Sequence, residues 1–185
     1  MKLSVFYDHI LQAAEQTGKP LTELLRNVKN AGIEAVEINM SYLSQQEQTF
    51  ALLKEAGLKV SCVYEFYEMD KQDERTKAKK HIDIAQKAGA EKVLVIPGFF
   101  SEQEAKQLTP CVGSYEKMAD FLNGNEKALR MAEDLNQIVE YGKQMGIAVT
   151  VEDFDDRKSP LSCVGGILWF LKQVPLLKVT FDTGN

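Results

Sequence analysis

The sequence has 185 residues, 44% of them hydrophobic, which suits one ordinary domain with a sizeable core spanning residues 1–185. Its net charge is −5, and the basic residues are scattered among acids instead of forming a stripe, which argues against a nucleic-acid partner. Cys62, Cys111 and Cys163 show no CxxC spacing, "MKLSVFYDHI" has no apolar signal core and no later run could span a bilayer, so a cytoplasmic protein without disulfides or a thiolate zinc site is expected.

In chain order, short β-rich runs alternate with segments of helical period. The first strand is "KLSVFY". After a loop or short helix, Leu21, Leu24, Leu25 and Val28 recur at helical spacing between Pro20 and Gly32, a start signal and a stop signal. "AVEIN" is followed by a helix around Ser44 to Ala56, ended by Gly57. "KVSCVYEF" is followed by a helix carrying Ala78, Ile82 and Ala85, ended near Gly89. "KVLVIPG" leads into a long loop from Phe99 to about Gly124. The next helix presents Ala128, Met131, Ala132, Leu135, Ile138 and Val139 and stops at Gly142 or Gly146. "IAVTVED", a helix through Ile167, Leu168 and Leu171, and "LKVTFD" complete the series.

Strands that alternate with crossover helices run parallel, in either a closed barrel or an open doubly wound sheet. Both gather ligands at the carboxyl ends of the strands, where Glu37, Asn39, Glu65, Glu152 and Asp182 fall. Two of these ends rhyme: "VTVED" at Val149 and "VTFD" at Val179 each end in Thr, a hydrophobe and an acid. Side chains two apart on a strand share a face, so Thr150 and Glu152 point one way, as do Thr180 and Asp182. Two carboxylates at one end of neighbouring strands raise a pKa or attract a cation, and a hard divalent metal fits that chemistry.

The ordered set "AGIEAVEIN", "HIDIAQKAGAEKVLVIPG", "VTVEDFDDR" and "KVTFDTGN" resembles the xylose isomerase-like TIM-barrel superfamily, in particular its sugar phosphate isomerase/epimerase group, which includes ketose 3-epimerases and hydroxypyruvate isomerase. The resemblance implies an α/β fold, a (β/α)8 barrel truncated after about six strands, since such barrels take about 250 residues. It implies a divalent metal (Mn, Mg, Co or Zn) held by a Glu after strand five, an Asp after strand six, and a His and a Glu from strands seven and eight. The first two correspond to Glu152 and Asp182. Glu152 would also be catalytic, one of two glutamates moving a proton through an enediolate in a sugar or sugar phosphate. With the other ligands absent, the chain itself is expected to be inactive. Asn185, where many members carry a histidine, is expected by the same resemblance to touch substrate.

Further substrate contacts are expected from His9, beyond the first strand, from Glu65, beyond the third, and from Asp156 and Arg157, the latter suited to a sugar hydroxyl or phosphate. Each has a plainer reading as a cap, packed residue or solvated loop; His81, on an apolar helix stripe, is read as a packed histidine. Gly165 and Gly166 lack the G-x-G-x-x-G context of a phosphate loop. Two rival readings stay open. An endonuclease IV-like repair enzyme would need a basic groove and a histidine-rich metal cluster, and the sequence has only His9 and His81. A non-catalytic six-stranded α/β binding module would leave the first and sixth strands as edges. A barrel ending at its sixth strand leaves strands one and six unpaired as well, and for it self-association, a homo-oligomer included, is an expected outcome.

Overall fold

A computed structural model describes residues 3–44, 47–69, 71 and 74–182. Strand β1 (Ser4–Phe6) runs straight into helix α1 (Tyr7–Thr17), followed by α2 (Leu21–Asn30) and β2 (Ala35–Asn39). Next come α3 (Met40–Ser44), α4 (Glu47–Glu55), β3 (Lys59–Phe66), α5 (Glu74–Ala88) and β4 (Lys92–Ile96). Helices α6 (Glu102–Leu108), α7 (Tyr115–Asn123) and α8 (Glu126–Met145) precede β5 (Ala148–Glu152), and α9 (Val164–Gln173) precedes β6 (Lys178–Thr180).

Every paired neighbour is parallel, and the sheet order is β1-β2-β3-β4-β5-β6. That order decides between the two architectures left open by the βα alternation. A doubly wound sheet reverses direction at a switch point, whereas a strictly sequential order is that of a barrel wall. The described residues form six strands of a barrel wall.

The valine-rich strands turn one face to the helices. Val36, Ile38, Val63, Val93, Val95, Val149 and Val151 are buried there against Leu25, Ile82, Met131, Leu135, Trp169 and Phe170. Burying this layer removes from water apolar area that favours the folded state. The other face carries a small cluster, Cys62, Leu94 and Ile96, with Tyr64, Phe99 and Phe154 against it.

Strand β3 breaks simple alternation, because Val60 and Val63, three apart, both belong to the helix-side core. A register shift resolves it: Val36 pairs with Val60 but Glu37 pairs with Cys62, leaving Ser61 as an extra residue. Its hydroxyl donates to the Val36 carbonyl at 3.1 Å. This bulge puts Cys62 and Tyr64 on the same face as Glu37 and Asn39.

The segment expected as a loop from Phe99 to Gly124 instead holds α6, a 3-10 turn (Thr109–Cys111) and α7. Ser101 and Glu104 form a reciprocal capping box at the start of α6, and Ser114 accepts from the Lys117 N–H at the start of α7. Those polar starts outweigh a weak apolar signal, since α6 buries only Ala105 and Leu108. The helix expected around Ser44 to Ala56 is likewise two helices, α3 and α4. Helix α8 ends at Met145, with Gly146 at φ 73°. Gly142 lies inside it, where a Cβ would sit 2.8 Å from the Ile147 carbonyl oxygen, so its role is close packing on β5.

Candidate functional site

At the carboxyl ends of the strands, on the face away from the helices, Phe6, Asp8, His9, Tyr64, Phe66, Leu94, Ile96 and Glu152 line a cavity of about 280 Å³. Strand alternation places Phe6, Tyr64, Leu94 and Glu152 there. Phe6 meets Tyr64 edge-on at 5.7 Å, and Phe154 bridges Phe66 and Phe99 at 5.9 and 5.6 Å.

The rhyming strand ends sit side by side. Thr150 donates its hydroxyl to the Val93 carbonyl at 2.9 Å, and the Thr180 hydroxyl donates to Thr150 Oγ1 at 3.1 Å. Glu152 is in register with Thr180, which puts Asp182 two residues further along the neighbouring strand direction. The Asp182 N–H donates to Asp153 Oδ1 at 2.8 Å. Burial, followed by the negative charges of Asp182, Asp153 and Glu37, pushes the Glu152 carboxyl up to about 7, with Lys92 opposing. A proton on Glu152 is therefore in play near neutral pH.

The remaining expected contacts scatter. His9 does lie on the cavity wall, edge-on to Phe6 at 5.6 Å. Glu65 turns toward α5, accepting from the Phe66 N–H at 2.7 Å with Lys77 Nζ 3.5 Å away. Arg157 is largely exposed and pairs with Glu102 at 2.9 Å. Asp156 accepts the Lys158 N–H at 2.8 Å within its own loop. Asn185 lies outside the described residues. His81 is buried in the helix-side layer: its Nε2–H donates to the Val63 carbonyl at 3.0 Å and its Nδ1 accepts from the Tyr67 hydroxyl at 2.8 Å.

One acid of the wall escaped the sequence reading. Asp8, in the first turn of α1, accepts from the Tyr42 hydroxyl at 2.9 Å on Oδ1 and from the Tyr64 hydroxyl on Oδ2. Burial and this hydrogen bond together push the Tyr64 phenol well above the ordinary tyrosine range. The available signal was its position, two residues beyond Phe6 and beside His9.

The donor chemistry of Glu152 and Asp182, two carboxylates at one strand end, suits a hard divalent cation. The described residues supply it incompletely, for no three His, Cys, Asp or Glu side chains among them converge as a metal centre requires.

The family description "xylose isomerase-like TIM barrel" matches residues 25–185, all but the amino-terminal stretch. The chain belongs to the xylose isomerase-like TIM barrel family. No curated protein matches it. Among solved structures it is similar to a probable 3-DHS dehydratase, AsbF, from Bacillus anthracis, with 17% identity and a TM-score of 0.63 over 98% of this chain and 63% of that one. A sugar phosphate isomerase/epimerase from Parabacteroides distasonis aligns at 15% identity and a TM-score of 0.59 over 98% of this chain and 64% of that one. An AP endonuclease, family 2, from Brucella melitensis aligns at 13% and 0.59 over 99% and 69%. At these identities the likeness establishes the barrel fold. The chain spans less than two thirds of the length of the dehydratase and of the sugar phosphate isomerase/epimerase.

Proposed function

We propose that this chain carries part of the active site of a cytoplasmic, divalent-metal-dependent isomerase or epimerase of a sugar or sugar derivative. The observation that supports this most is Glu152. Its carboxylate lies on the wall of the strand-end cavity, beside a neighbouring strand that Asp182 follows by two residues. Family membership supplies the chemical class in which such a carboxylate takes a proton from carbon. Glu152 and Asp182 would provide two oxygen ligands, and a bound divalent ion would supply positive charge that polarises a substrate carbonyl and acidifies the adjacent C–H.

This chain's own part is narrower. Glu152 accepts the proton from the carbon next to the carbonyl and returns it to the same face. Inversion needs a second acid on the opposite face, which the described residues do not place. Deuterium exchange without net epimerisation is therefore expected. The acids around the cavity also disfavour a phosphate backbone, which sets the endonuclease reading below this one.

The test is ¹H NMR of a ketose in D₂O with Mn²⁺ and the chain. Slow loss of the C–H signal beside the carbonyl, absent with Glu152→Gln, is the expected result. Exchange equally fast with E152Q, or none at saturating Mn²⁺ and ketose, would remove the isomerase reading.

A further inference from the structure

We infer that the strand-end cavity takes an uncharged polyhydroxylated ligand, a sugar or polyol without phosphate or carboxylate, with Asp8 accepting hydrogen bonds from its hydroxyls. This deepens the isomerase reading, on which the choice of sugar as probe rests. Asp8 is an unusual wall residue because both its oxygens are held from behind. Tyr42 of α3 donates to one, and Tyr64 of β3 to the other.

Two phenols on two different elements fix the plane of the carboxylate. Each carboxylate oxygen has about two acceptor positions, so one on each remains for a hydroxyl. A fixed pair of acceptors suits neighbouring hydroxyls, because the ordering is done before the ligand arrives. Phe6, Phe66, Leu94 and Ile96 on the same wall offer apolar surface to the C–H face of a sugar ring. At about 280 Å³ the cavity is at the small end of ligand sites and fits a single sugar unit.

The charge around it selects against anions. Asp8 and Glu152 line the cavity, and among the described residues no lysine or arginine does, with His9 the one basic group. The cations that could have reached it are engaged elsewhere. Arg157 pairs with Glu102, and Lys77 donates to the Phe66 carbonyl at 2.6 Å beside Glu65. Lys92 is the exception: in register with Cys62 at the amino end of β4, it lies outside the lining, but its charge still reaches Glu152. In the metal-free cavity a phosphoryl group, with a charge of about −1.5 to −2, would meet two carboxylates and one imidazole.

Saturation-transfer NMR titrations of the chain with D-fructose and with D-fructose 6-phosphate test this. D-fructose is expected to receive saturation, with the phosphate ester at least about tenfold weaker. Asp8→Asn, which keeps the side chain's shape, is expected to weaken D-fructose about tenfold, in line with losing hydrogen bonds to a charged acceptor. The wild-type comparison stands even where the variant fails to fold. Equal or tighter binding of the phosphate ester, an Asp8→Asn variant that folds and binds D-fructose unchanged, or no binding of either sugar would overturn the inference. Fructose binding through Asp8 with no deuterium exchange removes the isomerase reading alone. Exchange on the phosphate ester alone removes this inference and leaves the isomerase reading standing.

Discussion

Glu152 and His81 show how burial acts on opposite charges, and their signs are opposite in solution. The Glu152 carboxyl stands near 7 in the folded chain against an ordinary 4.5. As pH rises between those values, the unfolded chain has already lost this proton while the folded chain still holds it. Stability therefore falls with rising pH across that window and levels off above it. His81 is lowered to about 4 from 6.5 by burial, so there the unfolded chain binds the extra proton and stability rises with pH from 4 to 6.5. Denaturant melts of the metal-free chain, followed by Trp169 fluorescence across pH 4 to 8, separate the two. Glu152→Gln should flatten the decline toward neutral pH, and a decline unchanged by it would show that Glu152 titrates normally. Gly166 is a third residue-scale case. A Cβ there would lie 1.8 Å from the Pro160 carbonyl oxygen, so Gly166→Ala must push the start of α9 off its loop. A loss of about 3 kcal/mol is expected in the same melts. The two glycines that lack a phosphate-loop context thus have at least one member with a packing role.

At the scale of elements, α6 and β3 are held by polar side chains that a search for apolar period passes over. In α6, Ser101 and Glu104 satisfy each other's backbone donors at the start of a helix of seven residues. Ser101→Ala should cost about 1 kcal/mol. The loss should be about halved when Glu104→Ala is already present, because the two caps act as one unit; a double-mutant cycle measures this, and strict additivity would show that the box contributes nothing jointly. In β3, the spare residue Ser61 decides which way every later side chain of the strand points. Without that shift Tyr64 would leave the cavity face and Asp8 would lose one of its two phenols. The signal was present in the sequence as two valines three apart, but such spacing reads equally as half of a helical turn. Only pairing with β2 identifies it as a bulge.

For the molecule as a whole, β1 and β6 each pair on one side only among the described residues. The β6 segment also shows apolar side chains: Phe181 is 76% exposed, Leu176 39% and Val179 37%. Unpaired strand edges beside such a patch favour association with another chain. Sedimentation velocity over a range of concentrations should show self-association that Phe181→Asp reduces. A monomer at every concentration would mean that the edges are protected by their short length and by the charge of Lys178. The net charge of −5 acts in the same protective direction, and added salt should therefore promote association.

The sequence by itself determined the βα alternation, the parallel direction of the strands and the helix-side face. These depend on periods of 2 and 3.6 residues, which are local and survive in a one-dimensional reading. It also carried enough ordered similarity for the family. Three things were decided only by tertiary structure: the sequential strand order, the turning of Glu65 toward Lys77, and the carboxylate of Asp8 held by phenols 34 and 56 residues away. Glu65 sits on a strand end like Glu152, and nothing local separates them. The lysine that draws one outward and the buried, acid-rich surroundings that raise the other come from different elements. Such contacts depend on which segments meet across the barrel wall, and no periodicity within a single segment encodes that.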